Sequence, residues 1–245
     1  MRVALVGCGS IGNRHTNNLV ALGCDVGRFD VVANDHISPA SDLRMHEWDA
    51  VVIATPWRTH LPYVEAAITS GTPFFCEKPL GSLDQLPRWR EIAALDLPVH
   101  QVGYQLRFNA QYRAMRGLVP RPTAGRFVCR FNMDTWPGKS YGPALLEASH
   151  ELDLALDSGL SPADVELRDG MTYYREWNIA NLVAAARVRV LMPEMLGDQM
   201  YRDELEHFIA RVRGERDLGP ACDLPQALKV LEVCAQVEQM ARVRA

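Results

Sequence analysis

Lysine is the rarest charged residue in this sequence. Only Lys78, Lys139 and Lys229 are lysines among 26 basic residues, and no block of basic residues occurs. The formal net charge is −4, so the surface lacks the positive excess that nucleic acids and anionic membranes attract. The composition therefore excludes nucleic acid and the membrane surface as expected partners and favours a small molecule.

Long apolar runs are missing as well. No segment approaches the roughly 18 apolar residues of a membrane-spanning helix, and the N-terminal apolar stretch, residues 3–6, is too short for a secretory signal. The six cysteines show no CxxC spacing, so neither a disulfide framework nor a metal site is indicated. We expect a cytoplasmic protein with reduced thiols and no bound metal.

Disorder is excluded by what is present. The 245 residues are 48% hydrophobic and 23% charged, with 17 glycines and 15 prolines, as in ordinary globular proteins. Short apolar runs typical of buried parallel strands occur at residues 2–6, 26–29, 49–55, 73–76 and 99–103. Amphipathic stretches separate them, which predicts an α/β fold with a Rossmann-type doubly wound parallel sheet in a first domain, residues 1–103.

The alternation of strands and helices stops after residue 103. Strand-like stretches at 127–133 and 187–192 flank a predicted helix that begins near Leu145 and ends before Gly159. Two more helices are predicted at about 199–212 and 225–243. We therefore predict a second, smaller α+β domain, residues 104–245, with a reduced and mostly antiparallel sheet.

The sequence GCGSIG at residues 7–12 leaves the first strand and opens the first helix. In such a motif Gly7 permits a tight turn, Gly9 lets the backbone approach a pyrophosphate, and Gly12 allows close packing of the helix. The free N–H groups at the helix start, at Ser10 and Ile11, favour phosphate. The motif predicts a dinucleotide site; the alternative is a strand–turn–helix with purely structural glycines.

Asp30 ends the second predicted strand, 18 residues after Gly12. An acid near this spacing accepts hydrogen bonds from the adenosine ribose hydroxyls, and its charge repels a 2′-phosphate. NAD is therefore expected rather than NADP. Asp35 is the second candidate for this role if the strand runs longer.

Five further segments carry a family resemblance. Glu77-Lys78-Pro79-Leu80 follows a strand, and Thr55-Pro56 with His60 precede it. Residues 104–109 (YQLRFN), 146–153 (LEASHELD) and 200–212 (MYRDELEHFIARV) complete the pattern in order. Together they resemble the Gfo/Idh/MocA oxidoreductases, and the HELD string resembles the branch that acts in surface-polysaccharide and nucleotide-sugar pathways.

The resemblance implies a nicotinamide cofactor on the first domain and a sugar or polyol, possibly nucleotide-linked, on the second. Cofactor contacts are then expected at Thr55, Pro56, His60 and Glu77 in addition to the glycine loop. Substrate contacts are expected at Tyr104, Arg107, Asn109 and Asp153, although Arg107 is equally suited to an interdomain ion pair. The expected enzyme is an NAD(P)-dependent dehydrogenase or reductase that transfers a hydride at a secondary hydroxyl or ketone.

Lys78 and His150 are the expected catalytic residues. Histidine is poised near neutral pH to take the hydroxyl proton as the hydride departs, and Lys78 would stand by the reacting carbinol. Glu147, one turn before His150, can orient the imidazole. Many family members carry an aspartate four residues before this histidine, where this sequence has Leu146. The structural alternatives are a surface lysine in a loop and a packed histidine.

Other functions fit the same scaffold. A dinucleotide-binding regulator without turnover, an enzyme that retains NAD for elimination or hydrolysis, and an imine reductase remain alternatives. The resemblance also implies a homo-oligomer, a dimer or tetramer. The chain is short for the family, with residues missing between Asp30 and Asp49 and between Asp153 and Met200, which predicts a narrower substrate wall.

Overall fold

The computed structural model describes residues 1–131, 148–160, 168–169, 174–184, 186–192, 197–215 and 219–244. The chain forms two compact units. The first contains Met1–Tyr104 and Tyr201–Leu228, and the second contains Gln105–Met200 and Lys229–Ala245.

The strands in chain order are β1 (Arg2–Val6), β2 (Asp25–Asp30), β3 (Ser38–Pro39), β4 (Ala50–Ile53), β5 (Phe74–Glu77), β6 (His100–Gly103), β7 (Ala124–Phe131), β8 (Arg168–Asp169), β9 (Tyr174–Asn181) and β10 (Ala186–Met192). The α-helices are α1 (Ser10–Ala21), α2 (His60–Ser70), α3 (Leu86–Ala93), α4 (Ala110–Leu118), α5 (Ala148–Asp157), α6 (Gln199–Val212) and α7 (Leu224–Arg244). Short 3₁₀ helices lie at Ala40–Asp42, Met45–Glu47, Trp57–Thr59, Leu83–Gln85 and Gln105–Phe108.

The first unit is built on a parallel sheet in the order β3-β2-β1-β4-β5-β6. Its central strands are apolar throughout because helices cover both faces of such a sheet. Residues 3–6 and 50–53 are accordingly fully buried. The reversal of strand order next to β1 is the position where ligands bind in doubly wound sheets. This confirms the predicted Rossmann fold.

The interval between β2 and β4 is as short as the sequence indicates. It holds only the two residues of β3 and the 3₁₀ turns Ala40–Asp42 and Met45–Glu47. A complete parallel crossover with a further full strand needs a dozen or more additional residues. The prediction that no such strand and helix fit here is confirmed.

Helix α6 completes the core of the first unit. The sequence placed residues 201–228 in the second domain, whereas in the structure they pack against the first sheet. The ring of Phe208 lies 5.9 Å from that of Phe75, and the N–H of Val102 donates to the carbonyl of Cys222 at 2.8 Å. One buried cluster joins β1, β4 and β5 to α6 through Val3, Leu5, Val52, Phe75, Leu205, Phe208 and Ile209. The apolar periodicity of α6 showed a buried face without showing which sheet covers it.

The second unit holds a sheet in the order β10-β9-β7-β8, antiparallel except for the pair β7–β8. Helix α5 packs against β7. Along β9 the residues Arg175, Trp177 and Ile179 are buried while those between them are partly exposed, so only one face of the sheet is covered. The predicted smaller, mostly antiparallel sheet is confirmed. The assignment of cofactor and substrate to separate domains stays a prediction.

Replacing Phe208 by Ala should test whether α6 belongs to the core of the first unit. Phe208 is fully buried, and truncating such a side chain costs about 3–5 kcal/mol in the free energy of unfolding. Urea unfolding measures the loss, with Leu95→Ala as the control because Leu95 is half exposed. A loss for Phe208→Ala no larger than for the control contradicts this packing.

Candidate functional site

The glycine loop between β1 and α1 is tightly packed at Gly7 and Gly12 and has free space at Gly9. Gly7 has φ +95°, and a Cβ there would lie 2.6 Å from backbone atoms of Ala54 and Thr55. A Cβ on Gly12 would lie 1.8 Å from the carbonyl oxygen of Gly7. A Cβ on Gly9, by contrast, meets nothing within 4 Å. The loop therefore needs glycine at positions 7 and 12 for packing, while Gly9 faces open space.

That open space lies at the N-terminus of α1. Gly9 is the N-cap, no side chain caps the helix, and its first turn holds no acidic residue. The first N–H groups of a helix have no acceptor within the helix and carry partial positive charge. Thr55 adds a buried hydroxyl, Oγ1, without a hydrogen-bond partner in the described residues. These groups fit a dinucleotide pyrophosphate, which Gly9, Ser10 and Ile11 would hold through their N–H groups.

Asp30 lies at the end of β2 and contacts the glycine loop. Its Oδ2 accepts a hydrogen bond from the N–H of Cys8 at 2.5 Å, and its Oδ1 accepts from Val32 at 3.1 Å. Partial burial acts to raise the pKa of Asp30, but backbone N–H donors, that of Cys8 first among them, hold it below its ordinary value. The carboxylate is thus charged at neutral pH, and each oxygen can accept further hydrogen bonds. Asp35 is exposed on the segment that follows.

His60, expected near the cofactor, is fully buried and joins two loops at the carboxyl edge of the sheet. Its Nε2 lies 2.8 Å from the carbonyl of Thr55, and its Nδ1 lies 3.1 Å from that of Pro79 and 3.3 Å from that of Leu80. Burial lowers the pKa of His60, although the carbonyls and the charge of Glu77 act the other way. His60 therefore holds the loops after β4 and β5 together. Pro56 is exposed beside it.

Lys78 begins the loop after β5 and is half-buried, and the Lys78–Pro79 peptide bond is cis. The preceding Glu77 is buried, with its Oε1 2.6 Å from Nε2 of His15 and its Oε2 accepting from the N–H of Lys78 at 3.1 Å. Glu77 thus holds the backbone of Lys78, and the cofactor contact expected of Glu77 stays a prediction. The His15 contact was missed, because its two residues are 62 positions apart in the chain.

His150 lies on α5 in the second unit and is 3% exposed. The next residue, Glu151, accepts from Nη1 of Arg175 and from Nε1 of Trp177, the latter at 3.3 Å. Both partners come from β9, so this buried ion pair fixes α5 to the sheet. Glu147, expected to orient His150, lies outside the described residues.

Arg107 and Asp153, two of the expected substrate residues, pair with each other inside the second unit. Nε and Nη2 of Arg107 donate to the two carboxylate oxygens of Asp153 at 2.9 and 2.7 Å, and both side chains are buried. Such a bidentate pair holds α5 against the Gln105–Phe108 turn. The interdomain ion pair considered for Arg107 is therefore not its contact with Asp153.

The other two expected substrate residues are also buried. Asn109 is the N-cap of α4, where its Oδ1 accepts from the N–H groups of Gln111 and Tyr112 at 2.9 and 3.0 Å. Capping explains why the chain has asparagine at position 109 without invoking a ligand. Tyr104, the last residue of the segment Met1–Tyr104 of the first unit, is 1% exposed.

The structure brings one set of expected residues together, at the carboxyl edge of the first sheet. This set comprises Gly7, Gly9, Gly12, Asp30, Thr55, His60, Glu77 and Lys78. Across the ranges that the structure covers, His, Cys, Asp and Glu side chains form no group that could hold a metal ion. Among the same residues, no helix is both long and apolar enough to cross a membrane.

This chain is similar in sequence to known oxidoreductases. The Gfo/Idh/MocA model, described as an oxidoreductase family with an NAD-binding Rossmann fold, matches residues 1–103. Inositol 2-dehydrogenase of Corynebacterium glutamicum is 29% identical over 177 residues, which cover 63% of this chain and 52% of that protein. Inositol 2-dehydrogenase 4 of Saccharopolyspora erythraea is 33% identical over 144 residues, covering 51% and 43%. The chain spans about half the length of the curated relatives it matches.

A solved structure extends the likeness in fold to the whole chain. Myo-inositol 2-dehydrogenase from Lactobacillus plantarum superposes with a TM-score of 0.76 over 99% of this chain and 97% of that one. At 17% identity this likeness shows the fold alone.

The buried His60 should make stability depend on pH. Because burial lowers its pKa in the folded state, the unfolded chain binds a proton near its ordinary pKa of about 6.5 that the folded chain does not. Stability is therefore fully present above about pH 6.5 and falls as the pH drops toward the folded pKa. We expect a lower urea midpoint at about pH 5.5 than at about pH 7.5.

His60→Gln should reduce this pH difference without abolishing it, since burial lowers the pKa of His100 as well. The exposed His36 provides the control. His36→Gln should leave the difference as in the wild type. An unchanged difference in His60→Gln contradicts a lowered pKa of His60 in the folded chain.

Proposed function

We propose that this chain, whose residues 1–103 match the model of the Gfo/Idh/MocA oxidoreductases, is a member of that family and catalyses NAD-dependent hydride transfer at a secondary hydroxyl or ketone of a polyol or sugar-like substrate. The observation that carries this proposal is the uncapped start of α1, where Gly9 faces open space beside the charged Asp30. The inositol dehydrogenases among its relatives support a cyclic polyol as the substrate class.

NAD, when bound, supplies the hydride acceptor and donor. The glycine loop would hold the pyrophosphate at the N-terminus of α1. Asp30 would accept hydrogen bonds from the ribose hydroxyls, and its negative charge would disfavour the 2′-phosphate of NADP. The contact with Cys8 N–H keeps this carboxylate beside the loop, which supports the proposed preference for NAD.

His150 and Lys78 share the proton chemistry of the reaction. Removal of a hydride from a secondary alcohol leaves a protonated carbonyl, so a base must take the hydroxyl proton. We assign this base to His150, whose imidazole titrates near neutral pH in its ordinary state. Lys78 donates a hydrogen bond to the carbinol oxygen through its ammonium group. In the reverse direction the histidine returns the proton.

Buried ion pairs hold the helix that carries His150. Glu151 pairs with Arg175, and Asp153 pairs with Arg107, on opposite sides of one turn of α5. Removing one partner from such a pair leaves an uncompensated buried charge, so the helix cannot shift without a large penalty. We therefore assign Arg107 and Asp153 a positioning role. Substrate contacts by these two and by Tyr104 and Asn109 stay predictions, as do a homo-oligomeric state and a location in the cytoplasm.

Substitution of the two assigned catalytic residues tests the proposal. We expect Lys78→Met and His150→Ala to lower kcat by about 10²–10⁴-fold, the usual contribution of positioned acid–base groups. NAD affinity should stay close to that of the wild type. The assay follows nicotinamide absorbance over inositols, free hexoses and nucleotide-linked sugars, with Lys229→Met as the control because Lys229 is exposed on α7.

Wild-type turnover in both variants contradicts the catalytic assignment. NAD that copurifies with the chain and shows no net redox change while substrate is consumed indicates instead an elimination or hydrolysis that uses retained cofactor. Binding of NAD without turnover on the whole panel indicates a regulatory protein.

Replacement of Asp30 tests the cofactor preference separately. Asp30→Asn keeps an oxygen that accepts from Cys8 N–H and removes the charge. We expect the ratio of NADP to NAD affinity to rise by about tenfold, since a like charge opposite the 2′-phosphate is removed. Asp35→Asn serves as the control and should leave the ratio unchanged, as measured by fluorescence titration. A larger change in Asp35→Asn transfers the ribose role to that residue.

A further inference from the structure

We propose that His15 and Glu77 form a positioning unit for Lys78, an inference that rests on the catalytic role proposed for this lysine. Nε2 of His15 lies 2.6 Å from Oε1 of Glu77, and Oε2 of the same carboxylate accepts from the N–H of Lys78 at 3.1 Å. The buried carboxylate of Glu77 thus connects α1 to Lys78, the first residue of the loop after β5.

The protonation of the pair follows from its geometry. Two acceptors cannot approach to 2.6 Å without a hydrogen between them, so with Glu77 as the carboxylate Nε2 of His15 carries the hydrogen and donates it to Glu77. Both oxygens of the carboxylate then have a donor. The charge of Glu77 is held where the N–H of Lys78 can reach it, and charge-assisted hydrogen bonds of this kind are the stronger ones.

The surroundings keep the pair in one arrangement. The ring of His15 is fully buried, with the edges of Phe75 and Tyr201 at 5.4 and 6.3 Å between ring centroids. A Cβ on Gly103 would lie 3.1 Å from the carboxyl carbon of Glu77. Glycine at the end of β6 therefore leaves the room that the carboxylate occupies.

Packing alone does not explain why His15 is a histidine. Its Nδ1 is buried and has no hydrogen-bond partner among the described residues, which costs stability that an apolar side chain of similar volume would not. Within the part of the chain that the structure describes, the His15 side chain makes one hydrogen bond, to Glu77. Because His15 lies on the helix whose N-terminus faces the proposed pyrophosphate, the pair ties the cofactor helix to Lys78.

The backbone of the loop that begins at Lys78 is therefore held at two points. The His15–Glu77 pair holds the N–H of Lys78, and His60 faces the carbonyls of Pro79 and Leu80 just beyond it. A side chain that must meet a reacting carbinol needs such a backbone, since small misplacements of catalytic groups lower rates strongly.

The scarcity of lysine makes this inference directly measurable. Labelling with [¹⁵N]lysine yields only three backbone amide signals, from Lys78, Lys139 and Lys229, and Lys78→Arg identifies the first. Hydrogen exchange at the Lys78 amide then reports its hydrogen bond to Glu77 in the chain without added cofactor or substrate. The amide of Lys229, inside α7, is the internal reference.

We expect Glu77→Gln and His15→Leu to speed exchange at the Lys78 amide by about tenfold, in line with the loss of a charge-assisted hydrogen bond. His15→Gln, which can still donate to Glu77, should restore most of the protection. His207→Leu, a histidine of the same unit that contacts Gln101 instead, should leave the Lys78 amide unchanged.

Turnover, measured beside stability, separates positioning from simple structural support. In His15→Leu the urea midpoint should fall, because the buried carboxylate of Glu77 loses a donor, and kcat should fall by about tenfold at nearly constant NAD affinity. Phe208→Ala, which also lowers the urea midpoint, should leave kcat near that of the wild type. Unaltered exchange at the Lys78 amide in both His15→Leu and Glu77→Gln overturns the inference. If the wild type turns over no substrate but the amide still responds, the positioning unit stands and the proposed function fails.

Discussion

A carboxylate withdrawn from water must be surrounded by donors, and this constraint organises both units. In the first unit, Glu77 accepts from His15 and from the backbone of Lys78, while Asp30 accepts from the glycine loop. In the second unit the corresponding donors are arginine side chains on the carboxylates of α5. Backbone donors and a histidine thus satisfy the acids around the proposed cofactor, whereas arginines satisfy those that hold a helix.

Much of the fold could be predicted because local patterns determine it. Fully apolar runs bounded by glycine or proline identify the strands of a parallel sheet, and the GCGSIG string places the first turn and helix. The position of α6 could not be predicted in this way. Its periodicity shows that Leu205 and Phe208 are buried, but a helical pattern carries no information about which of two sheets it covers.

The residues of the candidate site also divide into those with a local sequence signal and those without one. The glycine loop, Asp30 and Lys78 follow from motifs with short spacing, whereas the bond between His15 and Glu77 joins positions 62 apart and has no local signature. The pairing of Arg107 with Asp153, 46 positions apart, is hidden for the same reason. The role of Asn109 as an N-cap could have been predicted from the sequence, because asparagine immediately before an amphipathic stretch is an ordinary helix N-cap.

The first unit is made of two segments that lie far apart in the chain, and this affects its folding during synthesis by the ribosome. Its sheet is complete in sequence at Gly103, but Leu205, Phe208 and Ile209 close the core about one hundred residues later. At translation rates of about 5–20 residues per second, the nascent sheet waits roughly 5–20 s with part of one apolar face uncovered, since α1 covers only the rest of it. During that interval the exposed apolar surface favours aggregation, and a chain truncated between these segments would lack the residues that close the core.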